Sequence, residues 1–509
     1  MTWRAAGVLA VVVLMVGGCT GDGDSAQPAP SSTWPAPAEG LKLGVPEEPA
    51  SLDPFDRRSR MPPAAAVLGE ILPQLFRVDP QGRVRGYLAD DSTVRQDERA
   101  VGASFRLRGD ARWSDGTDIS AADLRFTLET VRSGDWPGPG LDYDRVVAVE
   151  GEGASVRLRF DGPFPGWKRL FSGADYVLPA HRLQGQDLTT VWREGPDVAG
   201  GPFRLGRVTP GLEVVLERND AWWGDGPRVD TLRVVVVPDV RTLEQLLGRG
   251  ELDVAWPPAT VNRTGRFKAL KDVEVSVADP GGRVVSLVAN TETVPVARRR
   301  GVLGLPNRDR FVEVLLAGEA RRAVTLAGVA GGAEAAWAQV GGKPGPEPEV
   351  EGLERGETDT LVAAQEEPMA PLLGRMLESD VRAAGATLEL KFAEAPLVEG
   401  RWLPEGSFDF ALVDDVAWPE PCWRCWFAAG ARERGNVSRV GGLDDLAAAA
   451  DRGEAGAAVA LEARLRSEAA LLPLWRPSAV LAGRHIKGLA ANSWSLGPFW
   501  GAENWTPAG

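Results

Sequence analysis

The most reactive side chains in this chain sit in "PCWRCWFAAG", residues 421–430, where two cysteines stand three apart among tryptophans. At that spacing Cys422 and Cys425 could run thiol–disulfide exchange, supply half of a metal site, or staple a loop. A thioredoxin-type centre needs its CxxC to open a helix after a core strand, which lowers the thiolate pKa. Here Pro419 and Pro421 flank the pair, and the context reads as a loop. Two thiolates need further ligands to make a zinc set. The two histidines, His181 and His485, lie far apart in sequence and supply none, so no metal site is expected. A structural disulfide is the preferred reading, with free thiols and a redox catalyst as the alternatives. Just upstream, Asp414 and Asp415 form an acidic pair. Adjacent carboxylates are usually a solvated face, and nothing here sets an acid and a base across a gap.

Other chemistry is missing. There is no G-x-x-x-x-G-K-[ST] phosphate loop, no G-x-S-x-G elbow, no H-E-x-x-H and no G-x-G-x-x-G after a strand. No catalytic residue, no cofactor and no enzyme activity are expected. The formal charge is −14 with no Lys/Arg-rich block, which argues against a nucleic-acid partner.

The N-terminus sets the compartment. "MTWRAAGVLAVVVLMVGGC" carries Arg4, then an apolar run to Val16, then Gly17 and Gly18 before Cys19. The run is too short for a comfortable membrane span and reads as an export signal. Its ending resembles a bacterial lipobox, in which Cys19 becomes the lipidated first residue; an ordinary signal peptide with an incidental Cys is the alternative. Acyl chains contribute about 0.8 kcal/mol per buried CH₂ and would hold the protein on the outer face of the cytoplasmic membrane. Residues 20–40 are small, polar and Pro-rich, and read as a tether. With Cys19 used by lipid, Cys422 and Cys425 have only each other to pair with in an oxidising compartment.

The elements that must position these residues follow from periodicity. In "SFRLRGDARWSDGTDISAADLRFTLETVRSG", Phe105 and Leu107 alternate with polar residues as a strand, and Asp115-Gly116 marks a turn. Ser120 with Asp123 suggests a capping box; Leu124, Leu128 and Val131 share a helical face, and Gly134 stops the helix. Residues 234–237 are a continuous apolar run suited to a covered strand. Leu243, Leu246 and Leu247 then line a helix ended by Gly248 and Gly250, and a strand over 252–256 completes a β–α–β unit, for which a right-handed crossover is expected. Further on, Leu372, Leu373, Met376, Leu377 and Val381 predict an amphipathic helix with Gly385 at C′, followed by an alternating strand at Leu388, Leu390 and Phe392. "SFDFALVDD" adds another strand, and residues 341–357 read as a loop. Two separated regions of α/β wiring predict two α/β lobes.

From about residue 41 to the end, the chain resembles the family 5 extracellular solute-binding proteins of ABC importers, the oligopeptide-, dipeptide- and nickel-binding group. The resemblance is carried in order by "EEPASLDPFD", "FRLRGDARWSDGTDISAADLRFTLE", "GGPFRLGRVTPGLEVVLERNDAWWGDGPRVDTLRV", "GRGELDVAW", "LPNRDRFVEVLLAGEARRA" and "LLPLWRPSAVLAGRHIKGLAANSW". It implies a two-lobed, type II periplasmic-binding-protein-like fold with a hinge, an interlobe cleft and an extra subdomain in lobe I. The corresponding boundaries are a signal peptide over 1–18, Cys19 and tether over 19–40, lobe I over 41–283, lobe II over 284–472, and a C-terminal return over 473–509. It implies capture of a small solute (peptide, modified peptide or oligosaccharide) by a monomer, and delivery to an ABC permease. A surface sensor or interaction lipoprotein on the same fold is the rival reading.

"FDFALVDDVAWPEPCWRCWFAAG" is similar to the family's lobe II strand and cleft loop, with Trp418, Glu420 and Pro421 matching the second half. Ala417 stands where peptide-binding members place an Asp for the peptide's ammonium, and Asn307 stands where Asp is usual in the second-lobe helix. Strand alternation lets only one of Asp414 and Asp415 face the cleft in its place. The expected cleft set is therefore Asp414, Asp415, Trp418, Glu420, Trp423 and Trp426, with the Cys422–Cys425 bridge stiffening a loop that presents the three tryptophans. Rigid aromatic surfaces bind flat or apolar solutes at low entropic cost. Asp115, Gly116, Asp123 and the Gly201-Pro202 pair are expected to be architectural.

Overall fold

The computed structural model describes residues 40–508, except 137–139, 318, 324–325, 327–352, 354–355, 366, 368, 417–418, 420 and 429–435. Cys19, Ala417, Trp418, Glu420 and nearly all of the 341–357 loop lie outside the described residues.

Two sheets carry the two lobes. The first has seven strands in the order Val273–Val277, Val480–Arg484, Val254–Ala255, Leu41–Val45, Thr231–Val236, Glu213–Arg218, Phe203–Thr209. Leu41–Val45 runs parallel to both Thr231–Val236 and Val254–Ala255, so it lies between the two strands of the predicted β–α–β unit. That unit's helix, Val240–Arg249, begins where the Asp239 side chain accepts from Thr242 N at 2.7 Å and ends at Gly250, whose φ is 74°. It buries Leu243 and Leu247. The second sheet has six strands in the order Ala320–Arg322, Leu471–Pro477, Arg283–Ala289, Phe410–Val416, Thr358–Ala364, Thr387–Ala393. Helix Ala370–Ala383 joins its parallel pair, with Leu373, Leu377 and Val381 buried; Gly385 follows at φ 95°.

The added subdomain is a four-stranded antiparallel sheet, Arg95–Gln96, Gly102–Arg106, Ser155–Phe160 and Val146–Glu150, with helix Ala121–Ser133. The capping box is complete: the Ser120 hydroxyl and the Asp123 carboxylate each accept from the opposing backbone, and Gly134 closes the helix at φ 84°. The subdomain and the first sheet share one hydrophobic core, so both belong to the first lobe.

The chain crosses between lobes twice. It leaves the first sheet after Val277 and enters the second at Arg283; it returns between Pro477 and Val480. Ala278 N donates to Ala479 O at 3.0 Å and ties the two crossings together. Arg476, 1% exposed, donates to Gly281 O and Leu326 O, each at 3.2 Å. Arg263 pairs with Glu319 at 2.6 Å and donates to Ser478 O at 2.6 Å and Pro257 O at 3.2 Å. Buried charges persist only when paired and hydrogen-bonded in this way. Among the described residues no helix is long and apolar enough to cross a membrane.

Candidate functional site

A cavity of about 610 Å³ lies between the lobes. One wall is helix Ala64–Ile71. Ala65, Ala66, Gly69 and Glu70 fall at i, i+1, i+4 and i+5, one face of small residues ending in a carboxyl, and Pro62 lines the cavity just before the helix. This face leaves room that larger side chains would fill. The end of this helix is fixed by Gly200 N and Gly201 N, which both donate to Ile71 O, at 2.9 and 2.8 Å. Gly201 permits this approach, since a Cβ there would meet Glu70 O at 2.3 Å. The opposite wall comes from the second lobe: Glu367, Asp414, Asp415, Cys422, Cys425 and Trp426. Trp256, Trp475, Trp494 and Trp500 contribute aromatic surface from the hinge side and the C-terminal segment. A mostly apolar concavity of this size with a few polar groups is the usual form of a small-molecule site.

The two lobes also meet away from the hinge. Arg169 of the first lobe holds Asp142 with two hydrogen bonds, of 2.8 and 2.9 Å, and donates across to Pro421 O at 3.2 Å. Arg145 donates to Asp451 O at 3.4 Å. The Asp451 carboxylate accepts from Trp423 N and Arg424 N, at 2.8 and 3.1 Å, and so fixes the start of helix Trp423–Phe427. Burial, opposed by Arg169 and helped by Asp142, pushes Asp451 up to about 6.

The cysteine pair departs from the loop expectation. Cys422 and Cys425 are bonded to each other, and Cys422 is the N-cap of helix Trp423–Phe427. Asp451 supplies the partner that lets one helical turn form after Cys422. Both sulfurs lie within 4.8 Å of an Asp142 oxygen, the one cluster of metal-type donors among the described residues. The sulfurs are spent on the disulfide and the carboxylate on Arg169, which leaves no coordination set.

That single turn also sorts the tryptophans. Cys422, Cys425 and Trp426 face the cavity at i, i+3 and i+4, whereas Trp423 and Phe427 lie on the other side, stacked at 6.4 Å. Trp423 is 5% exposed and packs in the second lobe's core with Val413 and Leu443. The expectation that Trp423 faces the solute is therefore corrected: helical spacing turns it inward, while Trp426 stays half-buried on the cavity wall.

Asp414 and Asp415 both line the cavity, not one of the two as alternation predicts. They sit at the C-terminal end of their strand, Phe410–Val416. Asp414 is paired with Arg283, which also reaches Glu367 at 3.5 Å. The architectural expectations fit: Asp115 accepts from Thr117 N and sits 2.7 Å from His181 Nε2, outside the cavity.

Sequence reasoning missed Glu70. It is 3% exposed, lines the cavity and has its Oε1 3.4 Å from an Arg77 nitrogen, while Oε2 has no hydrogen-bond partner. Burial, opposed by Arg77 and reinforced by Glu503, pushes its carboxyl up to about 8. The available signal was one acid in the apolar run "PPAAAVLGEILPQLF". Trp256 was in view at the end of "GRGELDVAW" but was given no role.

Residues 83–425 match the family described as bacterial extracellular solute-binding proteins, family 5 Middle. The chain is 25% identical over 264 residues to the oligopeptide-binding protein OppA of Mycobacterium tuberculosis, covering 46% of this chain and 44% of that one. It thus spans less than half the length of this curated relative. Among solved structures it is similar to the oligopeptide-binding protein AppA from Bacillus subtilis in complex with a nonapeptide: TM-score 0.75, 16% identity, 93% of this chain and 100% of that chain. It is also similar to NikZ from Campylobacter jejuni in complex with Ni(L-His), with TM-score 0.73, 17% identity and coverage of 92% and 100%. These structural likenesses support the fold, two α/β lobes about a cleft. With the family match covering more than half of its length, the chain belongs to the bacterial extracellular solute-binding proteins of family 5, a family of binders rather than enzymes.

Proposed function

We propose that this protein captures a short peptide, or an organic solute of similar size, in its interlobe cleft and delivers it to an ABC importer permease. The observation that carries the reading is the 610 Å³ cavity walled by both lobes, which meet at the hinge and again where Arg169 reaches Pro421 O. A solute touching both walls favours the closed form by its differential affinity for that form, and no covalent chemistry is required. Trp426, Trp256, Trp494 and Trp500 supply the apolar surface, and Glu70, Asp414 and Asp415 the polar specificity.

The protein is further proposed to act as a monomer held by lipid on Cys19 at the outer face of the cytoplasmic membrane, after removal of residues 1–18. The curated relative named for oligopeptide binding supports a peptide-like solute. Native mass spectrometry of the protein purified from a bacterial host tests the reading. A discrete bound mass, or binding after soaking with peptide pools, is expected. A clean unliganded mass after soaking with both peptide and sugar pools would move the assignment to a surface sensor or interaction lipoprotein.

A further inference from the structure

The C-terminal segment touches both the cavity and the hinge. Asn492 donates to Val78 O at 2.8 Å, and Ala491 N donates to the Ser276 hydroxyl at 2.9 Å, so the segment is fixed to the first lobe. It also meets both crossings. The Ser493 hydroxyl accepts from Ala479 N at 2.9 Å. The Trp494 indole lies against Gly281: a Cβ there would meet ring atoms Cε2, Cζ2 and Nε1, each at 2.7 Å. A Cβ on the next residue, Gly282, would run into Ser493 O. These two glycines are the last residues before the second-lobe strand Arg283–Ala289, and Gly281 O is held from that lobe by Arg476 at 3.2 Å. Neither has a left-handed φ, so close approach, and not a backbone angle, is what requires glycine here.

Trp494 is half-buried and lines the cavity, whereas Trp505 of the same C-terminal region is 0% exposed in the first-lobe core. A ring that only filled space would be packed like Trp505. We propose that Trp494 is the positioning residue through which a bound solute sets lobe closure, its indole held between the solute and hinge residue Gly281. This rests on the reading of the cleft as the solute site. Hinges turn on a few residues at the ends of elements, often small ones. Opening swings the Gly281–Arg283 end of the second lobe relative to a ring fixed to the first lobe, and so breaks their contact. A solute packed on the exposed part of the ring meets its full set of neighbours only when that contact is made. The flat indole supplies apolar area to both, and the gain exists only in the closed form, which is the differential affinity that closure needs.

The test is a double-substitution cycle between Gly281→Ala and Trp494→Ala, with Trp494→Phe as the conservative variant. Small-angle X-ray scattering reads closure as the radius of gyration, alone and with trialanine or maltotriose present, and calorimetry reads the affinity of each probe. Gly281→Ala adds only a methyl against the ring. It is expected to enlarge the radius of gyration of the otherwise unaltered protein and to weaken a binding probe about tenfold. In the Trp494→Ala background the same methyl is expected to change neither, because the ring it would meet is gone. Trp494→Phe keeps a flat ring and is expected to close like the unaltered chain. An effect of Gly281→Ala that persists without the indole, or identical scattering from all four proteins of the cycle, overturns the proposal. If neither probe binds while Gly281→Ala expands the protein only when Trp494 is present, the coupling stands and the peptide assignment falls. If a probe binds and closes all four proteins alike, the cleft reading stands and the role of Trp494 falls. Should Gly281→Ala fail to fold, the comparison of Trp494→Ala with Trp494→Phe decides: closure lost with Ala and kept with Phe supports the proposal, and equal closure in the two overturns it.

Discussion

The two walls of the cavity treat their carboxylates differently. On the second-lobe wall, Asp414 and Glu367 share one cation, Arg283. On the first-lobe wall, Glu70 keeps one oxygen without a partner, and Arg77 is engaged elsewhere. The tryptophans of one short helix also differ: Trp423 is committed to the core, and Trp426, packed against the edge of that core, lines the wall. Groups buried in the lobes hold the cavity in shape, and groups presented on its wall read the solute. Substitutions should therefore divide into those that change stability and those that change binding.

The largest effect is expected at the hinge. Arg263→Ala leaves Glu319 buried without its cation and strips Ser478 O and Pro257 O of a donor; it should cost about 3–5 kcal/mol in urea unfolding. A loss below 1 kcal/mol would mean that the crossing does not depend on this pair. Trp423→Ala should also cost about 3–5 kcal/mol, because it empties a core site. Its partner substitution Trp426→Ala should cost clearly less stability than Trp423→Ala while weakening binding of whatever mass is found bound. Equal stability losses at the two positions would break the comparison.

Glu70 gives an effect with a defined pH signature. Its folded-state pKa is raised from 4.5 to about 8, so the folded form binds more protons than the unfolded chain between those values. Stability from this group is fully present below pH 4.5 and is lost as pH rises towards 8. Glu70→Gln removes that slope, on the order of a few kcal/mol between pH 4.5 and 8.5, in chemical denaturation at a series of pH values. Parallel curves for the two proteins would contradict the assignment. The smallest effect is at Arg283, whose side chain is 42% exposed: Arg283→Met should shift stability by less than about 1 kcal/mol. It removes the cation that Asp414 and Glu367 share and should turn that wall towards cationic solutes, measured as the ratio of affinities for a lysine-containing and a neutral tripeptide.

Much of the fold could be read from local pattern. The capping box at Ser120, the glycine stops at Gly134, Gly250 and Gly385, and the apolar faces of the three predicted helices depend on neighbours within a few residues. Sheet membership was less accessible. Leu41–Val45 lies between two strands some two hundred residues further along, and no periodicity reports that pairing. The site failed where distant partners decide. One turn of helix at Cys422 exists because Asp451 caps it, and that turn faces Trp423 inward. Glu70 was invisible because a lone acid in an apolar run does not reveal that its helix lines a cavity shared with the C-terminal segment.

The central claim is that one solute is held by both lobes at once. Hydrogen–deuterium exchange of the protein with its bound solute, against the same protein after unfolding, dialysis and refolding, tests it most directly. Protection is predicted on both walls together: helix Ala64–Ile71 on one side, helix Trp423–Phe427 on the other, and the Pro477–Val480 crossing between them. Protection confined to one lobe, or identical exchange in the two samples, would contradict an interlobe solute site.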